Sequence, residues 1–485
     1  MKIPLKQLIQ SIGLTCSSNI DIYGLAFDSR KVKNGFLFFA ISGNESDGHN
    51  YIKSAIRNGA AAIVGEKELD QEISIPYFRV DNCRKYLTIL ANQFYEMPHK
   101  KHKLIGITGT NGKTTTAYML HHILNHNGKT ASLLGTAGYY LNGEKYEANL
   151  TTPDPISLQK MMFDSHDEFV LMEVSSHGLD QHRVFGHMFD YALFTNLSHE
   201  HLDYHDNLEN YYQTKKKLFR CLKENGKGII GAYTNWGERL YQELAEELVP
   251  VSSFANKGKN EPIQLKSVHP GHNTALLIND HEKEVRLKLK TPGLHNAFNA
   301  FGSYICSRDL GFEPEQIIEA LEHFEGAPGR FDIIHIPTGA KAIIDYAHTS
   351  DGLSHALITA RQFIKHNLYH IFGFRGKRDL TKREEMVRIS QFLSNHVILT
   401  LDDLNGVDQA MMLDELYKLS RPYKNVVVIE DRTEAIAYAL HQLKKEDGLI
   451  ITGKGYENYK ETFSMKTISD KDTIHKILSS DFGVN

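Results

Sequence analysis

One stretch constrains this chain more than any other: LIGIT (104–108), then GTNGK (109–113), then TTTAYMLHHILNH (114–126). An apolar segment of strand length runs into a glycine-rich turn. The turn then enters a segment whose Met119 and Ile123, and Leu120 and Leu124, recur at the i,i+4 spacing of a helix face. Strand, turn and helix in that order form a phosphate site. Backbone N–H groups from Gly109 through Thr110, Asn111 and Gly112 can wrap phosphate oxygens, Lys113 brings a cation to the terminal phosphates, and Thr114 and Thr115 stand at the helix N-terminus, where Thr114 can ligate Mg2+. The position five before Gly112 is Ile107 rather than glycine, so the loop is not a full Walker A sequence.

A loop of this kind belongs at the carboxyl edge of a parallel sheet, and the rest of the chain supplies the strands. FVLMEV (169–174) is apolar along its length, as a strand buried on both faces should be, and Glu173 stands near its carboxyl end. An acidic residue ending a strand beside a phosphate loop is a recurring Mg2+ position. YALFTNLS (191–198) repeats the pattern, and a second series follows in AIIDYAH (342–348), LYHIFGF (368–374), HVILTLDD (396–403), NVVVIED (425–431) and GLIITGKG (448–455). The expected fold class is α/β. Open α/β sheets bind ligands at the carboxyl ends of their strands, so the polar ends of these runs should line one working edge.

At 485 residues the chain exceeds what one hydrophobic core usually organises. We expect three α/β domains: a small N-terminal unit over 1–100 closing in the polar MPHKKHK, a central unit over 101–328, and a Rossmann-like C-terminal unit over 329–485 that begins after GAPGR. A net charge of −4 lacks the basic excess that phosphate-backbone binding needs, which argues against a nucleic-acid partner. The four cysteines, Cys16, Cys83, Cys221 and Cys306, have no metal-like grouping and read as free thiols in a reducing compartment. The N-terminus has no long apolar h-region and no 18 apolar residues run together, so the expectation is a cytoplasmic chain without a transmembrane segment.

The form TGTNGKTTT resembles the ATP loop of the Mur ligase family, and the similarity continues along almost the whole chain. It takes in TTPDP (151–155), EVSSHGLDQHR (173–183), NLSHEHLDYH (196–205), YYQTKKKLF (211–219), GLHNAFN (293–299), PGRFD (328–332), DYAHTSDGL (345–353), GFRGKRD (373–379) and GKGYE (453–457). Their order is that of the MurE-type members, which add the third residue to UDP-N-acetylmuramoyl-L-alanyl-D-glutamate. The resemblance implies an ATP-dependent, ADP-forming amide ligase of peptidoglycan precursor synthesis, working as a monomer with Mg2+ through an acyl phosphate. The N-terminal unit would then bind the UDP-sugar, the central unit ATP and the last unit the amino acid.

Site residues follow residue by residue from that resemblance. Lys113, Glu173, His201 and Lys215 are the catalytic set, and the metal ligands are Thr114, Glu173, His201 and Lys215, the last after carbamylation. Asn296 and Asn299 match the adenine-side pair, while Arg330, Asp345 and His348 look like groups that the C-terminal domain closes onto the nucleotide. Ser29, Thr151, Thr152, Ser175 and Arg183 are assigned to the UDP-sugar peptide. Arg383, Asp402, Asp403 and Glu457 are assigned to the incoming amino acid.

The chain departs from the family at one informative place. DDLNG (402–406) stands where the family has D-N-P-R, and that arginine normally marks diaminopimelate, whose distal carboxylate needs a cation. Without it, Asp402, Asp403 and Glu457 are expected to leave an acidic pocket suited to a side-chain ammonium, with L-lysine first and ornithine next. Tyr456 also replaces the histidine common in GKGHE. Two alternatives stay open: a Mur-type paralogue acting on another carboxylate, and a folylpolyglutamate- or cyanophycin-type ligase. A purely regulatory nucleotide-binding protein would not need Glu173, His201 and Lys215 together.

Overall fold

The structure, a computed structural model, describes residues 1–43, 46–254, 261–271 and 273–482. The chain forms two compact units. The first comprises Met1–Thr108, Gly128–Ala192 and Thr214–Gly228, and the second Gly109–Asn127, Leu193–Gln213 and Ile229–Asn485. All the cuts between them fall inside the segment expected to be the central domain.

In the first unit, the N-terminal part is a four-stranded parallel sheet in the order Gly24–Ala26, Phe36–Ala40, Ala60–Gly65, Tyr77–Arg79. Side chains alternate across a strand, so Leu37 and Phe39 join Leu87, Leu90 and Ala91 of the helix Cys83–Phe94 on one face, while Phe38 and Ala40 join Ile52 and Ala55 on the other. Each such buried aliphatic or aromatic side chain stabilises by about 1.5–3 kcal/mol relative to exposure. Asn82 starts the helix by accepting from Lys85 N at 3.0 Å.

The larger sheet of this unit runs Glu144–Tyr146, Gly138–Leu141, Ala131–Gly135, Phe169–Glu173, Lys103–Thr108, antiparallel over its first two pairings and parallel over the next two. The uninterrupted apolar run expected for FVLMEV is a fully buried strand, and its register sets Glu173 opposite Ile107.

The second unit holds the helix Lys113–His126 and a six-stranded sheet ordered Asp332–His335, Lys341–Asp345, Gly448–Thr452, Leu368–Phe372, His396–Leu399, Val426–Val428. Its first pairing is antiparallel and the others are parallel. Helices cover both faces, with Leu368 and Phe372 in one core layer and Tyr369 and Ile371 in the other. The five apolar runs of the second series coincide with five of these strands. A three-stranded antiparallel sheet, Ile263–His269, Thr274–Asp280 and Lys283–Leu289, was not expected. Among the described residues no helix is long and apolar enough to cross a membrane.

Candidate active site

The phosphate loop is held by side chains far along the sequence. Asn111 donates its N–H to Asn196 Oδ1 at 2.9 Å, and its carbonyl accepts from Thr195 Oγ1 at 2.6 Å and Asn196 Nδ2 at 3.1 Å. Its side-chain Nδ2 donates to Asp351 Oδ2 at 3.0 Å. Lys113 Nζ donates to the carbonyls of Gly109 and Thr110, both at 2.9 Å, so its cation lies over the loop. Gly112 has φ +85°, and a Cβ there would come within 2.5 Å of Asn299 Oδ1. Both the left-handed backbone and the close approach require glycine.

These residues open onto a cavity of about 320 Å³ in the second unit, and seven expected nucleotide residues line it: Asn111, Gly112, Thr115, Asn296, Asn299, Arg330 and Asp345. Arg330 donates to Thr114 Oγ1 at 3.2 Å and stacks over Tyr346 at 4.4 Å. Asp345 accepts from the N–H groups of Phe331 (2.8 Å) and Ala347 (2.7 Å); burial raises its pKa in spite of the nearby Arg330. Asn296 donates Nδ2 to Pro292 O at 2.7 Å, which fixes its amide. His348 is bonded to Tyr346 O at 2.9 Å, and burial, with Lys382 and Arg375 nearby, drives its pKa far down and keeps the ring neutral. One cavity wall is an aromatic pair that no sequence signal marked: Tyr233 and Phe298 stack at 4.3 Å with rings inclined by 20°.

Of the residues assigned to the UDP-sugar peptide, Thr151, Thr152, Ser175 and Arg183 gather in the first unit around Glu173. This carboxylate is fully buried and accepts from Thr136 N at 2.9 Å and Thr136 Oγ1 at 3.0 Å, and Thr136 Oγ1 also meets Thr151 Oγ1 at 3.1 Å. Thr152 Oγ1 donates to the Glu173 carbonyl at 2.8 Å and accepts from Ser175 N at 2.9 Å. Arg183 donates to Thr152 O at 2.7 Å. Arg183 and Arg84 share a smaller cavity of about 120 Å³ with the apolar Phe27, Ile41, Leu87 and Leu150. Ser29 is buried in the turn Ser29–Lys31, which Asp28 caps.

His201 belongs to the second unit, in a left-handed backbone conformation with φ +56° and its ring edge-on to Tyr211. Lys215, in the first unit, is 1% exposed and Lys216 is also buried. Lys217, more exposed, pairs with Asp180 at 3.3 Å. The lysine run is therefore not one solvated face. Among the described residues no three His, Cys, Asp or Glu side chains converge as a ready-made metal cage. Mg2+ commonly uses one or two protein oxygens with water and substrate phosphates, so the hydroxyl of Thr114 and the pinned carboxylate of Glu173 fit its chemistry.

The expected acidic pocket for an ammonium is corrected by the structure. Asp402 and Asp403 are buried, and the equally buried Lys454 donates to Asp403 Oδ1 at 2.6 Å and Asp402 Oδ1 at 3.3 Å. Burial opposes ionisation of Asp402, but Arg432, Lys454 and Arg375 outweigh it and hold its carboxyl below the usual range. Glu457 accepts from Tyr346 Oη at 2.8 Å and from Arg375. Arg383, expected to fork a substrate carboxylate, is buried and spends its guanidinium on Glu415 and on Arg375 O. The charges of this loop are balanced inside the protein. Lys454 is visible between the glycines of GKG, but nothing local pairs it with carboxylates 51 and 52 residues earlier.

Three Mur ligase family models match consecutive parts of the chain: the Mur ligase family catalytic domain at residues 21–95, the middle domain at 107–307, and the glutamate ligase domain at 329–455. A UDP-N-acetylmuramoyl-L-alanyl-D-glutamate–2,6-diaminopimelate ligase of Clostridium tetani is 37% identical over 99% of both chains. The protein of the same name from Bacillus cereus is 36% identical over 91% of this chain and 90% of its own. Among solved structures, a UDP-N-acetylmuramoyl-L-alanyl-D-glutamate–2,6-diaminopimelate ligase aligns over 99% of both chains with a TM-score of 0.70 at 24% identity. A MurF ligase of Thermotoga maritima in complex with ADP aligns over 88% of this chain and 93% of its own, with a TM-score of 0.65 at 20% identity. With these matches over nearly its full length, the chain belongs to the Mur ligase family, as an ATP-dependent, ADP-forming ligase of the MurE type.

Proposed function

We propose that this ligase phosphorylates the D-glutamate carboxylate of UDP-N-acetylmuramoyl-L-alanyl-D-glutamate with ATP and joins the resulting acyl phosphate to the amine of 2,6-diaminopimelate. The observation that carries the ATP half is the cavity in which loop residues Asn111 and Gly112 face Arg330 and Asp345. The substrate half is supported by relatives at 34–37% identity that bear this activity in their names.

A carboxylate oxygen attacks the γ-phosphorus and ADP leaves; the amine then attacks the acyl carbon, phosphate leaves, and the amine loses a proton. Both reactants of the first step are anions, so charge neutralisation is the main demand. Lys113 and Arg330 supply fixed cations, and Asp345 orients the backbone at Phe331 next to Arg330. Bound Mg2+ would neutralise further phosphate charge, and the Thr114 hydroxyl, the Glu173 carboxylate and the His201 ring each suit it as a ligand. A carbamate on Lys215 would turn a buried cation into an anionic metal ligand. Tyr233 and Phe298 offer a flat apolar wall to the adenine. Arg84 and Arg183 suit the anionic groups of the nucleotide sugar. In this reading residues 1–100, 101–328 and 329–485 serve the UDP-sugar, ATP and the amino acid respectively, in a cytoplasmic monomer.

One observation favours lysine as a second reading: Asn405 stands where diaminopimelate-adding members of the family have arginine. Phosphate release with the UDP-dipeptide and a panel of free amino acids separates the readings. Higher kcat/KM for diaminopimelate supports the first, and higher kcat/KM for lysine the second. Turnover that does not depend on the UDP-dipeptide points instead to a paralogue or a folylpolyglutamate-type ligase. Asn405→Arg should raise the diaminopimelate-to-lysine ratio in either case.

A further inference from the structure

The helix Ser350–Arg361 begins at Thr349, whose hydroxyl accepts from Gly352 N at 3.0 Å, and carries Asp351 in its first turn. A carboxylate is favoured there by the helix dipole. Both of its oxygens are engaged. Oδ2 accepts from Asn111 Nδ2 of the phosphate loop at 3.0 Å, and Oδ1 lies 3.2 Å from Nε2 of His355, one helical turn on. Asp351 and His355 both line the nucleotide cavity, yet neither belongs to the residues assigned above to nucleotide binding. The contact to Asn111 spans 240 positions of sequence.

We propose that Asp351 and His355 are a positioning pair that holds the Asn111 side of the phosphate loop in its nucleotide-accepting shape, so that ATP affinity follows the protonation of His355. Protonated His355 fixes the carboxylate by a charge-assisted bond, and the fixed carboxylate orients the Asn111 amide. Neutral His355 retains a weaker bond, and Asp351 gains rotamer freedom. The groups facing His355 are Asp351 on its own helix and, 6.0 Å away between ring centroids, His295 of the helix Leu294–Asp309. Arg330 and Asp345 line the same cavity. The hydrogen bond to Asp351 raises the His355 pKa, whereas burial lowers that of His295 to about 3 and keeps it neutral. The switch is therefore carried by one ring.

The inference rests on the cavity being the ATP site, and one experiment separates the two claims. Calorimetric titration of the full chain with Mg-ATP across about pH 6 to 9 should give a dissociation constant that rises with pH through the His355 titration. His355→Gln keeps a donor for Asp351 without the charge, at a side chain that is 48% exposed and so tolerant of change. It should weaken ATP binding roughly 3- to 10-fold at the acid end and abolish the rise of the dissociation constant with pH that wild type shows. In catalysis this should appear in KM for ATP and not in kcat. Asp351→Ala should weaken binding at every pH, and adding His355→Gln to it should change nothing more. A wild-type pH profile in His355→Gln, or additive effects in the double variant, overturns the pairing. If Asp351→Ala does not fold, the His355→Gln profile alone decides. If the wild-type chain binds no ATP, the nucleotide site itself is wrong and the pairing falls with it.

Discussion

Lys454 Nζ donates to Asp403 Oδ1 at 2.6 Å, and both side chains are almost fully buried. Asp402 completes the group at 3.3 Å. Removing one partner of a buried ion pair strands the other charge, which typically costs about 3–5 kcal/mol. Lys454→Met should therefore lower stability by about that amount in urea unfolding. Asp403→Asn, which leaves Lys454 paired with Asp402, should cost clearly less. Equal and small losses in both variants would show that the lysine is not the counter-ion of the loop.

That arrangement also marks where sequence reading succeeds and where it stops. The apolar runs ending at Glu173, Asp345 and Thr452 were legible because a strand buried on both faces has no alternation to confuse with a helix. The half-buried strand Thr274–Asp280 does alternate, but its signal is masked by the stronger parallel pattern. In the sequence Asp402 and Asp403 look like free acidic groups because their counter-ion lies on another strand end, and charge balance across a sheet has no local spacing. Tyr233 and Phe298, 65 residues apart and stacked, are hidden for the same reason.

Lys113 should be the most sensitive residue of the phosphate loop. Its ammonium lies over the carbonyls of Gly109 and Thr110, within the loop itself. Loss of a preorganised group that stabilises transition-state charge costs on the order of 10²–10³ in kcat. Lys113→Ala should fall in that range in a phosphate-release assay, with an unchanged melting temperature. A loss below about tenfold contradicts this placement.

Acid should weaken the fold before the carboxylates titrate. Burial lowers His99 and His187 to about 4 and His295 and His370 to about 3; the His370 ring is bonded to Ser390 Oγ at 2.6 Å and Thr452 Oγ1 at 2.9 Å. Each stays neutral when folded but takes up a proton near pH 6.5 when unfolded. Their stability contribution is complete above about pH 6.5 and is lost as pH falls toward the folded values. His355 works in the opposite sense: its raised pKa adds stability below about pH 6.5 that is lost as pH rises through the folded value. Burial also lowers His122, His182 and His348, so seven lowered rings stand against one raised and the net sign on acidification is destabilising. The urea midpoint should fall between pH 7 and about pH 5. A constant midpoint over that interval would mean that these rings are protonated in the folded chain.

Glu173 provides the last test, because its position depends on a glycine. The strand Ala131–Gly135 runs parallel to Phe169–Glu173, and a Cβ on Gly135 would stand 2.2 Å from Glu173 Oε1. Thr136 holds the same carboxylate through its N–H and its hydroxyl, so the side chain cannot retreat without giving up both bonds. Gly135→Ala should therefore displace the carboxylate by a fraction of an ångström to an ångström while leaving every proposed ligand chemically intact. Misplacement on that scale is worth about 10²-fold in rate. If Glu173 holds Mg2+, the loss should be accompanied by a higher Mg2+ requirement, and excess metal should recover part of the activity. Thr136→Val, which removes only the hydroxyl bond, should show a weaker form of the same behaviour. A Gly135→Ala enzyme with wild-type rate and wild-type Mg2+ dependence would remove Glu173 from the metal site. An equal loss of rate with an unaltered Mg2+ curve would leave it a purely structural carboxylate.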